Sequence, residues 1–438
     1  MSIEAAAVYP EHIAALRRRA DQALADTGFE HLLIGAGTPP AKFLDDQDYP
    51  FIANPHFRHW LPVGNAPGSW IAYTPGRKPR LIFVQPRDYW HVVPQAPHGY
   101  WVDEFEIVIV SSAAEALAQL PQGRCAVITS DAASQGFADD PQLPTLLNLL
   151  HWQRSCKTAY ELALMREANR IGTRAHRAAE AAFRAGSSEL DIHLAYLGAA
   201  RQTDAQLPYA SIVALNAHGA VLHYGAYDPV PPERSRCLLI DAGASVSGYG
   251  SDITRTHATP DAWEFQALID SVDAAQQGFV QKVRAGQSYA DLHLHAHQVL
   301  AGILREHGFF RMSADAAVEC GVSSAFFPHG LGHMIGAQVH DVSGFQQNQR
   351  GGRIEPPAGH PYLRMTRVLE PGMIVTIEPG LYFIDMLLAE LRDKPFARDL
   401  DWTRIDHFRQ FGGIRIEDDV VCTDDAPENL TRDAFALA

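Results

Sequence analysis

Cys237-Leu-Leu-Ile-Asp241, followed after a short turn by Gly250-Ser-Asp252-Ile-Thr-Arg-Thr256, is the stretch on which the reading of this chain turns. The first part is an apolar run of the kind that forms a buried strand, and it ends in a carboxylate. The segment between is rich in glycine and serine, which marks a hairpin. The midpoint between Asp241 and Asp252 falls at Val246-Ser247. A hairpin centred there sets the two aspartates opposite each other, with Cβ atoms about 5 Å apart. Two anions so close are costly unless a cation lies between them. Taken singly, Asp241 reads as a turn residue and Asp252 as an ion-pair partner of Arg255. The pair argues for a site.

Three further segments repeat the theme of a ligand-type side chain at the end of an apolar run or in a glycine loop. Phe326-Phe-Pro-His329-Gly-Leu-Gly-His333 is followed by His340. Its His329/His333 spacing resembles a zincin helix, but Gly330 and Gly332 oppose a helix and the expected glutamate is missing. The glycines instead let the backbone bend close to a ligand. Met373-Ile-Val-Thr-Ile-Glu378-Pro-Gly380 is a strand ending in glutamate before a turn. Gly412-Gly-Ile-Arg415-Ile-Glu417-Asp-Asp is another, and strand alternation puts Arg415 and Glu417 on one face. A strand carboxylate flanked by Ile and Val is expensive unless it is partnered. Four carboxylates and one imidazole form a hard donor set, suited to Mn²⁺, Co²⁺ or Zn²⁺ in a paired site. Two such ions can share a hydroxide and polarise a carbonyl, which is what amide hydrolysis requires.

At 438 residues the chain is too long for one ordinary core, so two domains are expected. We set their boundary near Ser155, giving an N-terminal α/β domain at 1–155 and a catalytic domain at 156–438. The first reads as a helix at 10–26, strands at 31–36, 70–74, 81–85, 106–110 and 125–129, and a helix at 113–120. Trp60, Trp70, Trp90 and Trp101 there read as packing under loops rather than as a ligand surface. The second domain opens with helices at about 158–185, stopped by Gly186, and from Ser187-Ser188 to about 201. Strands and turns follow from 207, with helices at about 265–284 and 289–308. Gly35-Ala-Gly37 is not a dinucleotide loop, because Pro39-Pro40 blocks the helix it needs. Cys320, near the histidine cluster, reads as a small buried hydrophobe.

A net charge of −15 excludes nucleic acid and anionic membranes as natural partners. No apolar run reaches membrane-spanning length, and the first residues carry no secretory signal pattern. Five scattered cysteines without a CxxC pair fit a reducing, cytoplasmic location.

Together the segments resemble the pita-bread metallopeptidases, the group of prolidase, aminopeptidase P and methionine aminopeptidase. The order Asp241, Asp252, His333, Glu378, Glu417 matches their dinuclear site, and Phe43-Leu-Asp-Asp46, Tyr209-Ala-Ser-Ile-Val-Ala214, Val221-Leu-His-Tyr224 and Pro361-Tyr-Leu-Arg364 support the likeness. Within the group the chain is most similar to the bacterial Xaa-Pro dipeptidases and organophosphorus acid anhydrolases. The resemblance implies an α+β architecture, with a creatinase-type N-terminal α/β domain and a C-terminal domain wrapping a curved antiparallel sheet. It implies two divalent ions, Mn²⁺ first, bridged by Asp252 and Glu417 and completed by Asp241 on one side and His333 with Glu378 on the other. A bridging hydroxide would attack the scissile carbonyl of an Xaa-Pro dipeptide, Glu378 would shuttle the proton and His340 would steady the tetrahedral intermediate. His223, His329 and Tyr209 would line the pocket. Arg364 would meet the substrate carboxylate, with Arg415 as a second candidate that instead could orient Glu417. A homodimer is also implied. An organophosphate side activity, an aminopeptidase P-type hydrolase and a metal-free binding module on the same fold are the alternatives.

Overall fold

The computed structural model describes residues 3–131 and 136–437. It divides into two compact units, Met1–Leu164 with Val246–Tyr249 and Asn348–Gly352, and the remainder of the chain.

In the first unit, all five predicted strands join one sheet. Its order is Glu106–Val110, Arg80–Val84, Trp70–Tyr73, His31–Gly35, Cys125–Ile128. The outer pairings are parallel and the inner ones antiparallel. Leu33, Trp70, Ile82 and Ala116 form the core on one face. The first helix runs from Ile3 to Thr27, so Pro10 lies two turns inside it rather than at its start. Proline there forgoes one amide bond, and the helix absorbs the loss. Trp60, Trp70 and Trp101 are buried as expected, but Trp90 is 77 % exposed, with its ring 5.1 Å from that of Tyr89. Its loop also exposes Tyr89 and Val92.

The second unit is built on two antiparallel sheets. One comprises Ile212–Leu215, Cys237–Asp241 and Thr254–Ala258. Val213, Leu238 and Ile240 face Ala175, Phe183, Ile192 and Tyr196 from the helices Ala159–Arg184 and Glu189–Ala200. The other comprises Ile374–Ile377, Asp418–Val421 and Glu428–Asn429, beside the pair Gly380–Tyr382 and Gly413–Arg415. Single bridges Thr254↔Glu417 and Met334↔Val375 carry pairing between these pieces. Ends of four strands therefore converge.

Helix starts follow the sequence signals. Thr158 and Glu161 cap each other's backbone amides, and Ser188 Oγ accepts from Asp191 N. Gly186 adopts φ +83° where the long helix ends. Glu189 is more than an acidic first-turn residue. It is 1 % exposed, and its carboxylate accepts from the amides of Leu215 and Asp228, from Tyr224 Oη and from His218 Nδ1, all within 2.9 Å. One buried anion thus clasps both ends of the 215–228 loop.

Two expectations need correction. Asp241 and Asp252 are not directly opposed: Asp241 pairs with Thr254, two residues further on. The cause is the turn, which is centred on Ser247 (φ +51°) and Gly248 (φ +89°). Positive φ at both central positions gives the tight two-residue hairpin that strand twist favours. Because side chains alternate with period two, this slip leaves both aspartates on the same face, as diagonal neighbours. Cys320, in turn, is exposed at the end of the helix Ala314–Glu319, with Met312 Sδ at 3.8 Å.

Burial makes one pH dependence explicit. His176 lies wholly inside the second unit, with Nε2 2.9 Å from Ala242 O. Burial lowers its pKa to about 3, against the opposing effect of that hydrogen bond. The unfolded chain takes up this proton near pH 6.5, so the stabilisation is complete above that pH and lost as the pH falls towards 3. Moving from pH 7 to 5 should remove about 2 kcal/mol through His176. Urea unfolding at the two pH values should give a smaller difference for His176→Asn, and an equal difference would show that this histidine is not held neutral.

Candidate metal centre

Each predicted ligand reaches the centre by a different local device. Asp241 ends its strand, and Asp252 leaves the hairpin two residues before the next one. Glu378 follows Ile374–Ile377, with Pro379 and Gly380 turning the chain behind it. Glu417 lies between two short strands, and its amide donates to Thr254 O. His333 lies in extended backbone, as Gly330 and Gly332 suggest, and not in a helix. A Cβ on Gly332 would stand 2.2 Å from Thr376 O, so only glycine lets this segment lie against the Glu378 strand. There His333 N donates to Thr376 Oγ1 at 3.0 Å.

All five side chains line one cleft of about 1000 Å³. His333 Nε2 is 3.4 Å from Asp252 Oδ2 and 3.6 Å from Glu378 Oε1. Asp252, His333 and Glu417 bring one ligand atom each within 4.8 Å of one another, and all three are buried. Thr254 Oγ1 donates to Glu417 Oε2 at 2.6 Å, and Tyr209 Oη donates to Asp241 Oδ1 at 2.8 Å. The electrostatics express the crowding. Burial raises Glu378 to about 7, against the pull of His333, and lifts Glu417 well above the usual carboxylate range, with Asp252 and Glu378 adding to it. Burial also raises Asp241, although Arg415 opposes it. Burial disfavours a charged His333, yet Asp252 and Glu378 lift it to about 9. Four clustered carboxylates with one guanidinium and one imidazole remain short of positive charge. Divalent cations fit this donor set, and Asp241, Asp252, His333, Glu378 and Glu417 are the residues to hold them.

Arg415, expected at a substrate carboxylate or beside Glu417, has another employment. It is 5 % exposed, and its nitrogens donate to Asp241 Oδ2, Tyr382 Oη and Thr254 Oγ1 at 2.7, 2.7 and 3.2 Å. Three of its five N–H groups are thereby used, and the bond to Asp241 orients that carboxylate. His329 is likewise held, with Nδ1 2.8 Å from Gly330 O and Nε2 2.9 Å from Tyr382 Oη. Since Arg415 donates to Tyr382, the tyrosine hydroxyl donates onward to His329 Nε2. Tyr209, expected at the substrate, spends its hydroxyl on Asp241. His340 stacks edge-on against His333 at 4.4 Å, and it is exposed to the cleft, as is His223. Arg364 also lines the cleft, is exposed, and forms no hydrogen bond or ion pair with any described residue. Arg367 faces the other way, buried against Glu370 and Ser343.

Several participants carried no warning in the sequence. Tyr382 and Thr254 are ordinary strand residues until their partners are known. Asp418 and Asp419, next to Glu417, are buried and point elsewhere. Asp418 accepts from Arg255, Arg432, Gln276 and Asn429. Arg255 therefore pairs with Asp418 and not with Asp252. Asp419 Oδ2 accepts from Asn169 at 2.8 Å and from the amide of Asp252 at 3.2 Å, which fixes the backbone of that ligand.

The chain is similar to known proteins along its length. Residues 7–152 match the family described as Xaa-Pro dipeptidase, N-terminal domain, and residues 163–424 match metallopeptidase family M24. An Xaa-Pro dipeptidase of Xanthomonas euvesicatoria pv. vesicatoria is 55% identical over 435 residues, covering 98% of both chains. One from Stenotrophomonas maltophilia (strain K279a) is 54% identical over 434 residues, covering 99% of this chain and 98% of that one. Among solved structures, zinc-substituted aminopeptidase P of E. coli with product superposes with a TM-score of 0.69 at 22% identity, over 96% of this chain and 98% of that one. That likeness is one of fold.

If cations relieve the repulsion among these carboxylates, loading with Mn²⁺ should raise the melting temperature of the unmodified protein by several degrees. Asp252→Ala and Glu417→Ala should lose most of that increase together with the bound metal. A thermal shift of undiminished size in both variants would place the metal elsewhere.

Proposed function

Because the chain belongs to metallopeptidase family M24, we propose that it is a two-metal hydrolase of Xaa-Pro dipeptides. Support comes first from the cleft, whose donor set matches the need of a paired divalent site. It comes equally from the relatives, which are Xaa-Pro dipeptidases along their whole length. The bound ions supply Lewis acidity and lower the pKa of a coordinated water.

This chain's own residues do the rest. Asp241, Asp252, His333, Glu378 and Glu417 would hold the ions. Arg415 and Tyr209 keep Asp241 turned inward. Glu378 Oε1 lies towards His333 and Thr376 and Oε2 towards His329 Nδ1, and this carboxylate would move a proton from the attacking water to the leaving proline nitrogen. His340 donates a ring N–H to the carbonyl oxygen as it becomes negative. His329, fixed by Tyr382 and Gly330, forms a rigid wall of the pocket beside His223.

The observation that carries the choice of substrate is Arg364. An exposed guanidinium that lines the cleft with no hydrogen-bond or ion-pair partner among the described residues is suited to a bidentate contact with a carboxylate. In an Xaa-Pro dipeptide that carboxylate follows the leaving proline directly. The close approach that places Arg364 depends on Gly344, where a Cβ would meet Arg364 O at 2.5 Å. The oxygen-rich donors favour Mn²⁺ as the metal. The five free cysteines support a reducing cytoplasm, and exposed Phe43, Leu44, Tyr89 and Trp90 support a homodimer. No described helix is long and apolar enough to cross a membrane.

Arg364→Ala should raise KM for Leu-Pro by roughly 10- to 100-fold, the value of a charge-assisted contact, with metal content intact. The unmodified enzyme should prefer Leu-Pro to Leu-Pro-amide by a similar factor. Equal cleavage of the two would replace dipeptide recognition with an aminopeptidase-like specificity. Separately, His340→Ala should lower kcat roughly 10²-fold at unchanged metal content. An unaltered kcat would remove His340 from the oxyanion.

A further inference from the structure

Behind the cleft wall the second unit gathers another set of possible ligands, all imidazoles. His293 and His297 stand one turn apart on the helix Tyr289–Glu306, and His360 comes to them from a loop. Their ring centroids are 4.7, 4.7 and 4.4 Å apart. One nitrogen from each ring lies within 4.8 Å of the others. Burial, reinforced by the neighbouring rings, lowers His293 to about 2 and His297 to about 3, so the cluster is neutral and its lone pairs are available.

Hydrogen bonding leaves one ring nitrogen unexplained. His297 is 1 % exposed, and its Nδ1 meets Ser323 Oγ at 3.0 Å, but its Nε2 is buried without a hydrogen-bond partner among the described residues. An orphaned polar atom of this kind is costly. The group formed by Glu189, His218 and Asp228 is compact in the same way, yet the Glu189 carboxylate there is saturated by four donors. The imidazole cluster is not saturated.

We infer that His293, His297 and His360 form a separate metal site for a borderline dication such as Zn²⁺. An i,i+4 histidine pair on a helix with a third histidine from a loop supplies three nitrogen ligands and leaves a fourth position open. All-nitrogen donors favour Zn²⁺, whereas the carboxylate centre favours Mn²⁺, so the two sites differ in selectivity. Ser323 serves as the outer partner that orients His297. His360, half-buried, provides access from solvent.

Occupation requires one proton to move. His293 Nδ1 accepts from Leu331 N at 3.2 Å, so its proton is on Nε2, 3.0 Å from His360 Nδ1. A cation bound at Nε2 sends that proton to Nδ1, and the Leu331 amide then loses its acceptor. Leu331 O is also bonded to Glu378 N at 2.8 Å, and Leu331 precedes His333 by two residues. The imidazole site is therefore mechanically joined to the carboxylate centre.

The test is elemental analysis of protein equilibrated with excess Mn²⁺ and a small addition of Zn²⁺, then desalted. The unmodified protein should retain one more metal per chain than His360→Ala, the difference being zinc. His297→Gln, which fills most of the ring's space, should show the same loss, with circular dichroism confirming the fold of each variant. Asp252→Ala, disarmed at the carboxylate centre, should keep its zinc, which separates this site from the proposed two-metal reading. Equal metal totals in the unmodified protein and both histidine variants would overturn the inference, as would an Asp252→Ala protein that retains no zinc.

Discussion

The second unit is organised around an electrostatic difficulty: four carboxylates crowd one cleft, and among the described residues only one guanidinium, that of Arg415, is bonded to any of them. Such a group repels itself, and the effect is strongest where water is excluded. Each carboxylate therefore has a fixed neighbour besides any cation. Asp241 has Tyr209 and Arg415, Glu417 has Thr254, Glu378 has Thr376, and Asp252 has His333 with a backbone amide tied to Asp419. These contacts leave the charge largely uncompensated but fix where each oxygen points. The repulsion is thus held in a rigid frame, the condition for strong and well-placed metal binding.

A second tier of buried charge supports the first. Glu417, Asp418 and Asp419 are consecutive and all buried, yet they serve three directions. Asp418 is neutralised by Arg255 and Arg432, and burial, which alone would raise its pKa, is outweighed by those arginines. Asp419 is held by Asn169, whose own carbonyl accepts from Thr431. Removing one partner from such an arrangement leaves a buried carboxyl group uncompensated, so Asp418 and Asp419 are intolerant positions although neither lines the cleft.

The sequence made the candidate ligands legible because carboxylates rarely end apolar strands without a reason. Asp241, Asp252, His333, Glu378 and Glu417 could all be picked out before any coordinates, and the structure brings them to one cleft. The glycines of 330–333 were equally informative, since they excluded a helix. What could not be read was the identity of partners distant in sequence. Arg415 belongs to Asp241, 174 residues away, and nothing local separates that role from binding substrate. Tyr382 gains its meaning only from Arg415 and His329. Glu189 looked like a helix-start acid, because its four donors come from a loop more than twenty residues on. The strands of the first unit were clear from their apolar runs, while the exposed Trp90 and Cys320 show that residue type is a poor guide to burial in loops.

The hairpin between Asp241 and Asp252 has a consequence for divergence among related chains. Its turn is displaced by one position from the midpoint of the two aspartates, and both still face the cleft because the displacement of the register is even. A change of loop length by two residues would slide Asp252 along the cleft. A change by one would turn it to the opposite face and remove it from the centre. Where the two-residue turn at Ser247 and Gly248 is kept, the arms of the hairpin are thus constrained by parity, because an odd insertion into one of them turns Asp252 away from the cleft.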